Sequence, residues 1–228
     1  MTSHSDFGEI SPEGWPVLAA AGIVTILLAF IALPLGGFAL GLMLWLRHIL
    51  RIPVRRVPAD GHAVLAPADG VVTSIDRQQQ IQDSHMQDGL PPMARITIRT
   101  RLTDAQLQRA PVTGRVRDNF LIPGLFLSAA DEVTARRDNE RREITLEIES
   151  GEAVVIVQIG SRTARQLVCG HGPGRALAAG ASLGMARIGG LTDLFVPARA
   201  ELTVKEGQSV LAGETVLARL TGKQVGDS

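Results

Sequence analysis

Arg142-Glu-Ile-Thr-Leu-Glu-Ile-Glu-Ser150, followed after Gly151-Glu152 by Ala153-Val-Val-Ile-Val-Gln-Ile159, decides the fold class. Ile144, Leu146 and Ile148 alternate with polar residues, the period of a strand with one face in water. The second run is apolar almost throughout, as in a strand covered on both faces. Ser150-Gly151 with Glu152 between them predicts a tight hairpin. Working outward, similar short runs recur at Ala63–Leu65, Gly70–Asp76, Ala94–Arg101, Gly114–Asp118, Leu194–Pro197, Ala200–Val204 and Thr215–Leu220, separated by Gly, Pro and Asp. Many short strands and few helical stretches predict a mainly β barrel or sandwich and argue against a βαβ fold. Segment 161–169 fits a short helix or a strand equally well. The glutamine-rich piece Arg77–Pro92 reads as a surface loop, and Val225–Ser228 as a frayed tail.

Three segments echo one another. Pro67-Ala-Asp-Gly-Val-Val72 and Pro111-Val-Thr-Gly-Arg-Val116 share Pro-x-x-Gly-x-Val, a turn feeding a strand. Val204–Val216, with Gly207 and Gly213 six apart, resembles the hammerhead strands of biotinyl- and lipoyl-like barrels. The only lysines, Lys205 and Lys223, lack the hairpin-tip setting of a modified lysine, so the likeness is one of fold and not of swinging-arm chemistry.

The N-terminal fifth of the 228-residue chain is different material. Residues 1–46 carry Asp6, Glu9 and Glu13 and no Lys or Arg, so all 23 basic residues lie beyond, and the formal net charge of zero hides this segregation. From Val17 to Leu46 no side chain is charged. Thirty helical residues would reach about 45 Å, beyond the roughly 30 Å hydrocarbon core, and no basic stretch precedes them as in a secretory signal. Pro34 with Gly36-Gly37 interrupts the run, which leaves two forms open: one kinked span, or a hairpin dipping into one leaflet. Trp15 and Trp45 are expected as interfacial anchors, which the hairpin would return to one surface. Arg47, Arg51, Arg55 and Arg56 follow, with His48. The positive-inside rule places the following domain on the cytoplasmic face of the inner membrane, and the same arginines suit anionic headgroups.

Other classes are excluded early. The chain has no tyrosine and only 4% aromatics, so no base-stacking surface for nucleic acid is expected. One cysteine, Cys169, rules out an intrachain disulfide framework and a Cys-rich zinc site. Cys169-Gly-His171-Gly reads as a polar turn, and no metal site is expected. Arg136, Arg137, Arg141 and Arg142 read as a solvated face with Asp138, Glu140 and Glu143.

The order of motifs resembles the short, membrane-associated phosphatidylserine decarboxylases. It runs from Glu13-Gly-Trp-Pro16 through Pro53-x-Arg55-x-x-Pro58, Ala66-Pro-Ala-Asp-Gly70, Arg109-Ala-Pro-Val-x-Gly114, Asn139-Glu-Arg141, and Gln158-Ile159 with Ala164-Arg165, to Gly189-x-x-x-Asp193-Leu-Phe-Val-Pro197. The resemblance covers nearly the whole chain and implies a β-rich fold and a reaction that makes phosphatidylethanolamine from phosphatidylserine. Charge and hydropathy divide the chain into an N-terminal segment (1–16), a membrane-embedded helix or re-entrant hairpin (17–46), a basic linker (47–58) and a β-rich, decarboxylase-like domain (59–224). A homodimer, or a partner in the membrane, is expected by resemblance alone.

Family members make a pyruvoyl group from their own backbone: a serine after a glycine attacks the preceding carbonyl, and the chain splits. The resulting ketone then serves as the electron sink. Such self-processing needs a hydroxyl and a base held by a carboxylate. Carried over residue by residue, the aspartate falls on Asp69, the histidine on Gln106, and the cleavage position on Gly189-Gly190, with Gly190 in the serine's place. An amide is no general base at neutral pH, and glycine has no oxygen to attack with. Ser161, in Gly160-Ser161-Arg162, and Thr192 lie outside the motif's frame. Asp69, without partners, reads as a turn residue bonded to nearby backbone N–H groups. The expectation is a membrane-anchored homologue without catalysis or cofactor, acting as a lipid-surface or accessory subunit. The alternative is an active decarboxylase that forms pyruvoyl from other residues.

Overall fold

The computed structural model describes residues 9–10, 15–49, 51–79, 91–164, 167–186 and 189–221. Two helices come first, α1 (Trp15–Ile31) and α2 (Leu33–Ile49). They form an antiparallel hairpin. A Cβ on Gly36 would lie 2.6 Å from the Ala29 Cβ, and one on Gly22 would touch Met43, 21 residues away. A continuous helix would separate those two by about 30 Å. The break is at Ala32 and not at Pro34. Pro34 sits in the first turn of α2, where a missing N–H costs no helical hydrogen bond. Gly36 is instead where the two backbones approach. Strand β1 (Glu9–Ile10) pairs with β2 (Arg51–Ile52), so the chain enters and leaves the hairpin side by side. Trp15 and Trp45 consequently lie at the same end of it. No helix among the described residues is long and apolar enough to cross a membrane.

The rest is mainly β and follows in chain order: β3 (Ala63–Leu65), β4 (Gly70–Gln79), β5 (Met93–Thr100), β6 (Leu107–Arg109), β7 (Gly114–Ile122), helix α3 (Glu132–Asp138), β8 (Arg141–Glu147) and β9 (Ala153–Ile159). Short strands complete it: β10 (Leu167–Cys169), β11 (Ala176–Leu177), β12 (Ser182–Ala186), β13 (Gly190–Pro197), β14 (Glu201–Leu202), β15 (Ser209–Val210) and β16 (Val216–Arg219). A curled eight-stranded sheet runs β11-β7-β8-β9-β13-β5-β4-β15, and two three-stranded sheets, β14-β16-β3 and β10-β12-β6, share its core. Val64, Ile96, Ile98, Ile144, Leu146, Val154, Ile156, Leu183, Leu194 and Leu217 fill the space between them.

The predicted hairpin forms as expected: Gly151 adopts φ +79°, and its N–H donates to the Ile148 carbonyl. Strand β9 is buried along its whole length, also as expected. The wet face of β8 is observed only at its end, where Glu147 is exposed. Glu143 and Thr145 are buried, because α3 brings Ala135 onto this side of the sheet with Val155, Val157 and Phe195. Arg77–Gln79 belong to β4 and not to a loop, while residues 80–90 and the tail lie outside the described residues. Residues 161–164 form a turn and 167–169 form β10, with 165–166 outside the described residues. The repeat at Val204–Val216 makes two turns, with Gly207 at φ +82° and Gly213 at φ +74°, and β15 pairs with the first echo through Ser209 and Val71.

Candidate functional site

Asp69 follows β3 and is buried. The following Gly70 admits no side chain, since a Cβ there would lie 2.3 Å from the Arg99 carbonyl oxygen. One carboxylate oxygen of Asp69 accepts the Ala212 N–H at 2.7 Å, and the other pairs with the Arg55 guanidinium. Its partners are therefore distant in sequence and not the adjacent turn backbone that sequence reasoning assigned. Burial pushes its carboxyl above the usual range, although the Ala212 and Ala105 N–H groups and Arg55 favour the charged form.

The Ala105 contact brings Asp69 beside Gln106, which is also buried. Gln106 uses its whole amide. Its Nε2 donates to the carbonyls of Asp104 at 2.7 Å and Arg101 at 3.1 Å, and its Oε1 accepts the Gly189 N–H at 2.6 Å. The three positions assigned by resemblance thus meet in space, and the amide at the histidine's position grips the backbone at the cleavage position. Sequence reasoning saw only that glutamine is no base. The bond to Gly189 spans 83 residues, and nothing local signals it.

Gly189 and Gly190 adopt φ of +80° and +125°, a region that side-chain-bearing residues rarely enter. Gly190 opens β13 opposite Thr100. A Cβ there would stand 3.1 Å from the Ile159 carbonyl oxygen and 3.4 Å from the Ala164 Cβ. A pyruvoyl group arises from a hydroxyl-bearing residue, so Gly190 does not fit it.

Three hydroxyls near Gly189-Gly190 are hydrogen-bonded within the fold: Thr163 Oγ1, 3.7 Å from where a Gly189 Cβ would stand, meets Ser161 Oγ at 3.2 Å, and Ser161 and Thr192 have further partners. Ser161 lies in the turn whose Ala164 touches the Gly190 position, and its Oγ accepts the Ala164 N–H at 3.1 Å. Thr192 is buried and accepts from Gln108 Nε2 at 2.9 Å, while Gln108 accepts from Gln158. Gln108 and Gln158, absent from the sequence-derived site, form its inner polar wall. His171 lies in a turn, where its Nε2 meets the Ser182 carbonyl oxygen at 2.8 Å. No group of three His, Cys, Asp or Glu among the described residues is arranged to hold a metal.

The basic linker divides. Arg55 turns inward onto Asp69 and lies 3.8 Å from Glu214, with a side chain only 11% exposed, so it is not presented to headgroups. Arg56 is exposed, and its backbone N–H donates to Glu214 at 2.8 Å. Arg109 pins the linker by donating to the carbonyls of Pro53 and Gly180, each at 2.7 Å. Arg47 is exposed on the last turn of α2, and Arg51 lies in β2. The expected solvated arginine face is partly internal: Arg136 binds Asp193 at 2.7 Å and Glu132 at 2.9 Å, and Arg142 donates to Asn119 at 2.8 Å. Arg137 and Asp138 do form a surface pair.

The molecule is thus a curled, mainly β domain carrying a helical hairpin, with Asp69, Gln106 and Gly189-Gly190 gathered at one end of its sheets. A model of the phosphatidylserine decarboxylase family matches residues 42–218. The phosphatidylserine decarboxylase proenzyme of Geotalea uraniireducens is 37% identical over 92% of this chain and 96% of its own length. Those of Beijerinckia indica and Ruegeria pomeroyi are 37% and 33% identical, again over 92% of this chain and over 88% and 94% of theirs. The chain belongs to the phosphatidylserine decarboxylase family.

Proposed function

We propose that this chain is a non-catalytic member of its family, a membrane-anchored protein acting at the lipid surface or as an accessory subunit of a membrane assembly. One observation carries this reading: Gln106 spends its amide holding the Gly189 N–H, beside a Gly190 that has no nucleophile. Self-processing needs a base at the first position and a hydroxyl at the second. The Ser161 and Thr192 hydroxyls, both hydrogen-bonded within the fold, supply no evident replacement.

The hairpin supports membrane attachment. Its tip presents Phe30, Leu33 and Phe38, each more than three-quarters exposed, and no charged side chain occurs between Trp15 and Trp45. An apolar surface of this kind marks an interaction site. Each 17-residue helix is about 25 Å long, short of the roughly 30 Å core, so the hairpin enters one leaflet and returns. Arg47 and Arg56 at its exit support the reading that the β domain lies on the cytoplasmic face of the inner membrane, against anionic lipid. Association with a second copy or another membrane protein belongs to the same reading.

The test is a decarboxylation assay on the full chain, purified in detergent and supplied with carboxyl-labelled phosphatidylserine. No release of labelled carbon dioxide above a protein-free control is expected. Sustained turnover would establish the active alternative.

A further inference from the structure

Two loops issue from the end of the fold that receives the hairpin. Leu18 packs on Met185 near the end of β12, with Val17 and Leu46 around them. In the sheet β10-β12-β6, Met185 pairs with Leu107 near the start of β6, and Ala186 with Leu167 at the start of β10. The large sheet ends there too, since Gly190 pairs with Thr100 and Leu191 with Ile159. The loop before β6 (101–106) and the turn at 161–164 therefore emerge beside the hairpin base. Gln106 and Gly189 tie them together: Gln106 holds Arg101 from one side and Gly189 from the other, and a Cβ on Gly189 would lie 3.7 Å from both Leu102 and Thr163.

The tips of these loops are Arg101, Leu102 and Thr103 on one, and Arg162 and Thr163 on the other, all exposed. Leu102 is 47% exposed. Asp104, the acid in the first loop, faces back and accepts the Arg101 backbone N–H at 2.8 Å. An exposed apolar side chain on loop tips that also carry two exposed arginines suits the boundary between headgroups and acyl chains of an anionic bilayer.

We infer that Arg101, Leu102 and Arg162 form a second membrane contact, separate from the hairpin, which rests the loop end of the β domain on an anionic lipid surface. This rests on the membrane reading above. It also assigns headgroup recognition to residues outside the linker, where Arg55 is committed to Asp69. With both contacts made, the domain has a fixed orientation, its Asp69–Gln106–Gly189 end toward the lipid.

The experiment uses the full chain with Cys169→Ser, reconstituted in vesicles of phosphatidylcholine with or without phosphatidylglycerol. A fluorophore is attached at Leu102→Cys or, as a control, at Ser150→Cys in the β8–β9 turn at the opposite end of the sheet. Quenching by headgroup-attached nitroxide lipid is read for the label and for Trp15 and Trp45. The expected result is severalfold stronger quenching at 102 than at 150 when phosphatidylglycerol is present, lost in Arg101→Glu/Arg162→Glu while tryptophan quenching persists. Quenched tryptophans with an unquenched label at 102 would overturn this contact and leave the hairpin reading standing. Quenching at 102 that ignores phosphatidylglycerol or the charge reversal would overturn its anionic character. Unquenched tryptophans would overturn the membrane reading itself.

Discussion

Gln106 joins two carbonyls of its own loop to a backbone N–H across the site, so its replacement has a defined cost. In Gln106→Leu the buried Gly189 N–H and the carbonyls of Arg101 and Asp104 lose their partner. A buried unsatisfied group costs about 1–3 kcal/mol, and thermal unfolding in detergent should show a loss of at least that size. Gly190→Ser restores a hydroxyl without a base, at a φ of +125°, and should remain uncleaved as well as less stable. Its chain length on a denaturing gel checks this. Asp69 gives a pH signature. Its folded pKa is raised above the ordinary 3.8, so the stability it contributes is present below that value and is lost as pH rises through the raised one. Removing Arg55 strengthens that effect, because the charged carboxylate is then buried with its nearest cation gone. Arg55→Met should therefore destabilise by about 3–5 kcal/mol at neutral pH and by much less at acid pH, measured by denaturant unfolding across that range. None of these contacts was legible beforehand. Sequence gave Asp69 a turn because Pro-Ala-Asp-Gly is turn chemistry, yet the group that binds it, Ala212, is 143 residues away.

At the scale of elements, local pattern carried as far as local physics reaches. The β8–β9 hairpin and the fully buried β9 follow from periodicity and from Ser150-Gly151. Glu143 and Thr145 are the exception, and the cause is tertiary: α3 covers a face that alternation assigned to water. That helix is held by side chains meeting across the fold. Burial raises the Glu132 carboxyl, but hydrogen bonds from Arg136 and Arg99 and the charge of Arg136 oppose it, and the group is held below its usual value. The apolar segment showed a break but not its geometry, because Pro34 and Gly36 are compatible with both a kink and a turn. The close approach of Gly36 to Ala29 decides it and makes a prediction. Gly36→Val would put methyl groups into the Ala29 backbone and force the helices apart. With Cys169→Ser, cysteines at Gly22 and Met43 should be joined readily by a short bismaleimide in the parent and far less in the Gly36→Val protein. Equal crosslinking would show that the helices do not depend on this contact.

At the scale of the whole molecule, a hairpin, a pinned linker and a loop-lined sheet end converge on one side. Arg109 and Arg55 fix the linker to the β domain, and Leu18 with Met185 fixes the hairpin base to the sheet that carries Gln106. On the reading proposed above, the family's framework is kept while its reacting atoms are replaced, with the Gln106 amide in place of an imidazole and the Gly190 hydrogen in place of a hydroxymethyl group. Nothing in this framework is expected to cut the chain, and the intact mass of the detergent-purified protein checks that in one measurement. A single uncleaved species at 24.3 kDa is the predicted result. Two fragments, the smaller with a blocked N-terminus, would show that the chain does process itself, and their masses would locate the residue that made the cut.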